Sequence, residues 1–437
     1  MDAILVTGIF VGAFAVIATD KVHKTVVALV AAGLMLLLGI VEQKASFFSQ
    51  DIGIDFNVIF LLIGMMIIVS IAMKTGLFQW LAVKAARLAR GHPMRIMLIL
   101  AIMTAALSSL LDNVTTILLV APVTMVIAST LKTDPVPFLI TEALASNIGG
   151  AATLIGDPPN IMIASRAELT FMDFLVNLMP VIVLIMVVYL ISIRFIFRRQ
   201  LSASDEQRQE IMDMDHRGAI TDHELLRKSL LVLALTVLGF IFHSFFHLKP
   251  ATIALAGAAL LTLWGRQDPR EILREVEWST ILFFVGLFIM VGALVRVGVI
   301  EHLSQVILDL TQGNLFATSM FMMWFSAFAS AIVDNIPYVA TMNSMVVDMA
   351  HGMWPGQDGT ALLHQAGLMP VWWSLALGAC LGGNGTLIGA SANVIAAGIG
   401  EKHGFPVSFK RFTLYGLPLM LESILISTAY VWLRYYL

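Results

Sequence analysis

The chain has 437 residues, of which 59% are hydrophobic and only 13% charged, and its mean hydropathy is +0.89. A soluble domain is about half apolar and a quarter charged, so the composition excludes an ordinary soluble enzyme and defines an integral membrane protein. The formal net charge of −3 argues neither for nor against an acidic or basic partner, no nucleic-acid partner is expected, and a single cysteine leaves neither an intramolecular disulfide nor a cysteine-built metal cage.

Apolar runs of the length needed to cross a bilayer, roughly 20 residues, predict spans near 3–19, 25–41, 56–73, 137–164 and 170–197 in the first half. Met1-Asp2 offers no basic n-region, so no cleavable signal peptide is expected. Between the third and fourth spans a long apolar stretch, near 94–130, is interrupted by Asp112-Asn113. A re-entrant hairpin accommodates this, because non-helical backbone at membrane depth is tolerated only inside protein or a wet cavity. Just before it, Leu77 to Arg90 is amphipathic with a basic face and reads as an interfacial helix. The segment 199–228 is charged and reads as a cytoplasmic linker. The second half repeats the order: spans near 229–247, 251–264, 279–297, 371–400 and 412–433, with a hairpin near 315–350 interrupted by Asp334-Asn335.

The order repeats because the residues repeat. An offset of 222 relates Asp112-Asn113 to Asp334-Asn335, Gly64 to Gly286, Gly76 to Gly298 and Gly91 to Gly313. After a hydrophilic insertion the offset is 233, aligning Gly149, Gly150, Thr153, Gly156 and Asn160 with Gly382, Gly383, Thr386, Gly389 and Asn393. The expected fold is therefore all-α, with ten transmembrane helices in two repeats, 1–198 and 229–437, each holding a hairpin and a broken helix (about 137–164 and 371–400). Five spans per repeat is an odd number, so the two insert with opposite topology. Basic residues support this. With both termini outside, 21 of the 26 Lys and Arg, Lys24 and Arg217 among them, fall on the cytoplasmic side; only Lys44, Arg166, Lys249, Arg296 and Arg434 do not.

Polar, helix-breaking residues inside apolar spans point to a transporter's binding site. Asp112 and Asp334 lead the candidates, because a carboxyl in mid-membrane usually serves a pathway or coupling ion. Each is also a candidate cap for its own half-helix, and both roles can coexist. Asn113, Thr115, Thr116 and Asn335 accompany them at the tips. At the breaks, Asn147, Gly149, Gly150, Thr153, Asn160, Asn384, Thr386 and Asn393 offer amides, hydroxyls and unwound backbone. Asp157 aligns with Ala390 and Asn147 with Cys380, so these positions break the symmetry; Asp157 either binds or caps the helix after Pro158. Glu142 either snorkels or relays protons. No metal or nucleophile cluster suggests an enzyme, no cofactor is expected, and opposed carboxylates suit alternating access better than a channel.

The motifs LDNVTT, NIGGAATLIGDPPN, VDNIP and GGNGTLIGASANV, in that order, resemble the ArsB/NhaD permeases of the ion transporter superfamily, especially the branch that includes the melanosomal pink-eyed dilution protein. The resemblance covers nearly the whole chain. It implies a secondary carrier of the cytoplasmic membrane that works by an elevator-like movement, with its substrate region on Asp112, Asn113, Asn147, Thr153, Asn160, Asp334, Asn335, Thr386 and Asn393. No Lys or Arg is expected at the midplane, and one cysteine cannot build a thiolate site. The leading expectation is thus proton-coupled efflux of arsenite or antimonite, held by hydrogen bonds, with Asp112 and Asp334 taking the proton. A sodium/proton antiporter and an anion carrier are the alternatives. The Asp-Asn order at the first tip departs from the Asn-Asp of the best-known arsenite pumps and bears on the substrate. Beyond the lipid bilayer, a homodimer or a soluble ATPase is the partner left open.

Overall fold

The computed structural model describes residues 2–18, 21–49, 52–214 and 218–437, and every regular element among them is helical. Thr19, Arg217 and the linker stretch 215–217 lie outside the described residues. Seven helices are long and apolar enough to cross a membrane: Phe56–Met73, Asn113–Thr130, Met179–Phe197, His223–Phe242, Trp278–Arg296, Leu315–Ile332 and Phe409–Tyr435. Shorter apolar helices include Lys24–Leu37, Pro93–Ser108 and Pro250–Trp264. On the outer spans, large apolar side chains stay exposed at helical spacing, as with Val183, Val187 and Ile191, or Leu231, Leu235 and Leu238. Such stripes suit hydrocarbon rather than water. The protein is a multi-pass membrane protein.

Each chain break follows from local chemistry. The first hairpin is Pro93–Ser108 and Asn113–Thr130, and the second is Leu315–Ile332 and Asn335–Met353. Asp112 and Asp334 are N-caps of the second arms, each accepting a backbone N–H there. The broken helix expected at about 137–164 is Val136–Gly150 and Pro158–Ala167, and that expected at about 371–400 is Met369–Gly382, a 3₁₀ turn and Ser391–Lys402. The span expected at 170–197 also divides, into Phe171–Asn177 and Met179–Phe197. A Thr170–Asp173 capping box starts the first piece and Pro180 opens the second. The linker is more ordered than a spacer requires. Its helix Asp205–Asp213 packs against the amphipathic helix Leu77–Leu88 and the hairpin arm Asn113–Thr130.

The halves are interlocked. Phe56–Met73 of the first half packs along Pro250–Trp264 of the second, and Trp278–Arg296 of the second packs along Lys24–Leu37 of the first. The offset-matched Gly64 and Gly286 sit at these two crossings. A Cβ on Gly64 would lie 2.6 Å from the carbonyl carbon of Ala254, and one on Gly286 would lie 2.8 Å from that of Ala28. Only glycine permits such approach. Inside this frame the first piece of each broken span is the most enclosed element. Every residue of Val136–Gly150 is buried, as are Trp372 and Trp373 on Met369–Gly382.

Candidate functional site

Each hairpin tip clamps the neighbouring break with the same hydrogen bonds. Ser108 Oγ donates to the Ser146 carbonyl at 2.7 Å, and Ser330 Oγ donates to the Ala379 carbonyl at the same distance. Thr153 donates to the Ser109 carbonyl at 2.6 Å, and Thr386 donates to that of Ala331. Asn160 Nδ2 donates to the carbonyls of Gly150 and Thr153 at 3.3 and 2.9 Å; Asn393 Nδ2 donates to those of Gly383 and Thr386 at 2.8 and 3.0 Å. Gly149 and Gly382 let the breaks press on Ala105 and Ala327 of the hairpins. Carbonyls freed at the breaks are thus satisfied within the protein, as burial demands. This framework takes up the hydroxyl protons of Thr153 and Thr386. It also leaves the amide oxygens of Asn160 and Asn393 to face inward partners.

Those partners form one cluster of side chains. Asn147 Nδ2 donates to Asn384 Oδ1 at 2.8 Å and Asn393 Oδ1 at 3.0 Å, joining the two broken spans. Asn113 Nδ2 donates to Asn147 Oδ1 at 3.0 Å and to Asp157 at 3.2 Å. Asn335, from the other tip, donates to both Asp157 oxygens at 3.4 and 3.2 Å. The Cys380 thiol donates to Asn160 Oδ1 at 3.4 Å and neighbours the same carboxylate. Asp157 is therefore where the two tips meet. It is 0% exposed, and among the described residues no basic side chain pairs with it. Although it occupies the N-cap position of Pro158–Ala167, its side chain makes no cap hydrogen bond. The capping alternative for Asp157 is not used. Asn113 Oδ1, in the same cluster, is buried without a partner.

Asp112 and Asp334 stand apart from that cluster. Asp112 accepts from the Thr115 N–H at 2.8 Å and the Thr115 hydroxyl at 2.5 Å, and Thr116 donates to the Asp112 carbonyl at 2.9 Å. The three residues thus serve their own tip. Asp334 caps its helix through Ile336 N–H at 3.1 Å, pairs with Lys24 Nζ at 2.9 Å and accepts from Ser391 Oγ at 2.9 Å. Lys24 also donates to Ser391 at 2.8 Å and lies over the Phe283 ring. Lys24, expected on the cytoplasmic rim, thus carries its charge inward on a long apolar stem. No Lys or Arg was expected at the midplane; Lys24 reaches the tip of the second hairpin at Asp334. The pair opens on a cavity of about 320 Å³ lined by His23, Glu277, Thr280 and Val394. Burial raises the Glu277 carboxyl above its usual range and the nearby Asp112 charge adds to this, while Thr280 and Lys24 oppose it.

The sequence pointed to both tips and both breaks. It placed Asn113, Asn147, Asn335, Asn384 and Asn393 together, while Asp157 was left between two roles and Lys24 and Ser391 were missed. Asp157 carried a signal in its mismatch with Ala390; Lys24 carried none.

A helical membrane protein with two broken spans facing two hairpin tips is, by architecture, a membrane transporter. The sequence profile described as "Citrate transporter" matches residues 14–378, and the chain belongs to that family. Uncharacterized transporters of Mycobacterium bovis and Mycobacterium tuberculosis are each 45% identical over 436 residues, covering 100% of this chain and 99% of theirs. The P protein of Homo sapiens is 34% identical over 98% of this chain, which spans 59% of that longer protein. The resemblance to ArsB/NhaD permeases therefore holds at the broader level of ion-transporter-like carriers. Two solved structures share the fold. The YdaH transporter of Alcanivorax borkumensis superposes with a TM-score of 0.57 at 13% identity, over 86% of this chain and 84% of its own. MtrF of Neisseria gonorrhoeae, described with a class of antimetabolite efflux pumps, gives 0.59 at 14% identity, over 94% and 86%.

Proposed function

We propose that the protein is a secondary transporter coupled to a monovalent cation, a proton or sodium, that occupies the cluster around Asp157. The observation that carries this reading is a fully buried carboxylate approached by amide and thiol groups and, among the described residues, neutralised by no basic side chain. An uncompensated buried charge costs several kcal/mol even after relaxation. Amide donors offset part of that, and a bound cation or a proton offsets the rest. Asn113 Oδ1 supplies a second oxygen free to join a cation. Because Asn113 and Asn335 come from different hairpins, cation occupancy at Asp157 would be felt by both halves. In this reading the halves, divided near 198 and 229, insert with opposite topology and alternate access through the bilayer. Proton coupling, expected at Asp112 and Asp334, shifts in emphasis to Asp157. Asp112 then stiffens one tip, and Asp334 closes the cavity beside the other.

For the solute, the Lys24–Ser391–Asp334 group favours a carboxylate anion, which would compete with Asp334 for the ammonium and hydroxyl at the mouth of the cavity. The family's description agrees with that chemistry. Arsenite or antimonite efflux rests on the motif resemblance, and sodium/proton exchange rests on Asp157 without a further solute. Proteoliposomes containing the full chain and an internal pH dye, challenged in turn with citrate, arsenite and sodium, distinguish these readings. We expect ion-coupled flux with citrate. Asp157→Asn should reduce that flux at least 100-fold in a folded protein, and Asp112→Asn should leave a measurable remainder. Wild-type coupling in the Asp157→Asn protein would remove the proposed site.

A further inference from the structure

Glu142 lies in the middle of Val136–Gly150, 1% exposed, on the side of the hairpin arm Asn113–Thr130. Thr124 Oγ1 donates to its Oε1 at 2.6 Å, and its Oε2 is buried with no partner. Thr124 therefore supplies one hydrogen bond where an ionised carboxylate offers sites for about four. The second half supplies a natural control. The offsets of 222 and 233 place Val346 opposite Thr124 and Leu375 opposite Glu142, and both are 0% exposed. Valine is threonine with a methyl in place of the hydroxyl, and leucine fills much of the space of glutamate. The fold at that place is therefore made from an apolar pair, and packing alone does not call for an acid.

We infer that Glu142 is a second proton-binding site, holding and exchanging a proton between the hairpin arm and the first broken span. It lies five residues before Asn147, about 7.5 Å along the helix from the amide that links the central cluster. Toward the start of its helix an open cavity of about 740 Å³ reaches Pro135, Met125 and Ala128, the last two beside and one turn beyond Thr124, and has Lys132, Asp134 and His403 in its wall. Glu142 thus lies between solvent at one helix end and the Asn147 cluster at the other. The inference depends on the transporter class but not on the role given to Asp157.

The titratable neighbours do not supply a counter-charge. Tyr189, on Met179–Phe197, donates to the Thr141 carbonyl at 2.7 Å, and Glu422 beyond it, on Phe409–Tyr435, accepts from Ser192 at 2.7 Å. Asp134 at the cavity pairs with Arg411 at 2.6 Å. Glu401 and Lys402 end the helix Ser391–Lys402, Arg95 is in the first turn of Pro93–Ser108, and Cys380 lies on Met369–Gly382. Among the described residues, no Lys, Arg or His forms an ion pair with Glu142. A carboxyl so placed is favoured in its neutral, protonated form.

Infrared difference spectroscopy of the purified full-length chain in lipid, stepped in pH and repeated in D₂O, tests the assignment. We expect a carboxylic-acid C=O band that shifts in D₂O and disappears on alkaline titration. It should be lost in Glu142→Gln and in the double variant Thr124→Val/Glu142→Leu, which copies the other half and should fold even if the glutamine variant does not. Asp157→Asn should keep this band, so failure of the central site and of this one are read separately. A spectrum unchanged by both Glu142 variants overturns the inference. So does a Glu142 band that neither shifts in D₂O nor titrates, which would mark a sealed structural acid.

Discussion

The two broken spans share a framework and differ in what they present at its centre. Asn160 and Asn393 hold equivalent carbonyls, Thr153 and Thr386 tie equivalent tips, and Ser108 and Ser330 bind equivalent turns. Against that constancy, Asp157 faces Ala390 by alignment, Asn147 faces Cys380, and Glu142 faces Leu375. The repeated serines, threonines and Asn160/Asn393 satisfy backbone, whereas the repeated Asn113 and Asn335 reach Asp157; where residues do not repeat, the first half is the more polar at Asp157, Asn147 and Glu142, and the second at Asn384, which aligns with Ala151. The difference teaches that the buried acids without an ion pair among the described residues, Asp157 and Glu142, belong to the first half, while the second supplies the donors Asn335 and Cys380 and the acceptors Asn384 and Asn393.

Substitutions at equivalent positions can break or sharpen this contrast. The largest effect is expected from overpacking. A Cβ on Gly149 would lie 2.1 Å from the Ala105 carbonyl oxygen, and one on Gly382 would lie 2.6 Å from the Ala327 backbone. Gly149→Val should cost on the order of 3 kcal/mol or more. Gly382→Val should cost somewhat less, read as loss of monodisperse protein and a lowered melting temperature. Equal tolerance at both sites would mean the tips are looser than described.

Next come the paired asparagines. Asn160→Ala takes the amide donor from the carbonyls of Gly150, Ala151 and Thr153, and Asn393→Ala from those of Gly383 and Thr386, each a loss of about 1–3 kcal/mol. If the framework is truly shared, thermal shifts for the two variants should agree within about 1 kcal/mol. A wide difference would assign one of them to function rather than structure. The smallest effect belongs to Cys380→Ser, which keeps a donor near Asn160 and the Asp157 carboxylate. Transport should fall less than threefold, and complete loss would show that the thiol itself takes part.

Much of this was legible in the chain. The breaks were visible because glycine pairs, prolines and amides stand out in apolar surroundings, and the hairpins because an Asp-Asn pair recurs at one offset. The span limits near 56–73 and 251–264 followed directly from hydropathy. What could not be read was direction. Asp157 sits at the N-cap of Pro158–Ala167, where an aspartate has an adequate local use, and only the fold turns its carboxylate to residues 44 and 178 positions away. Thr115 and Thr116 looked like ligands because hydroxyls at a tip are chemically free to bind, yet their own turn takes them up first. Lys24 was hidden by reach, since a helix-start lysine looks like a rim charge until its stem is traced.

The crossing of Gly64 on Ala254, and of Gly286 on Ala28, bears on how such a chain arises. Each half lends the other a wall it lacks, so neither is a finished object. A progenitor of half the length would have met the same need only by clasping a second copy of itself. Fusion would then have freed the twin sequences to drift apart at the centre while their clasp stayed the same.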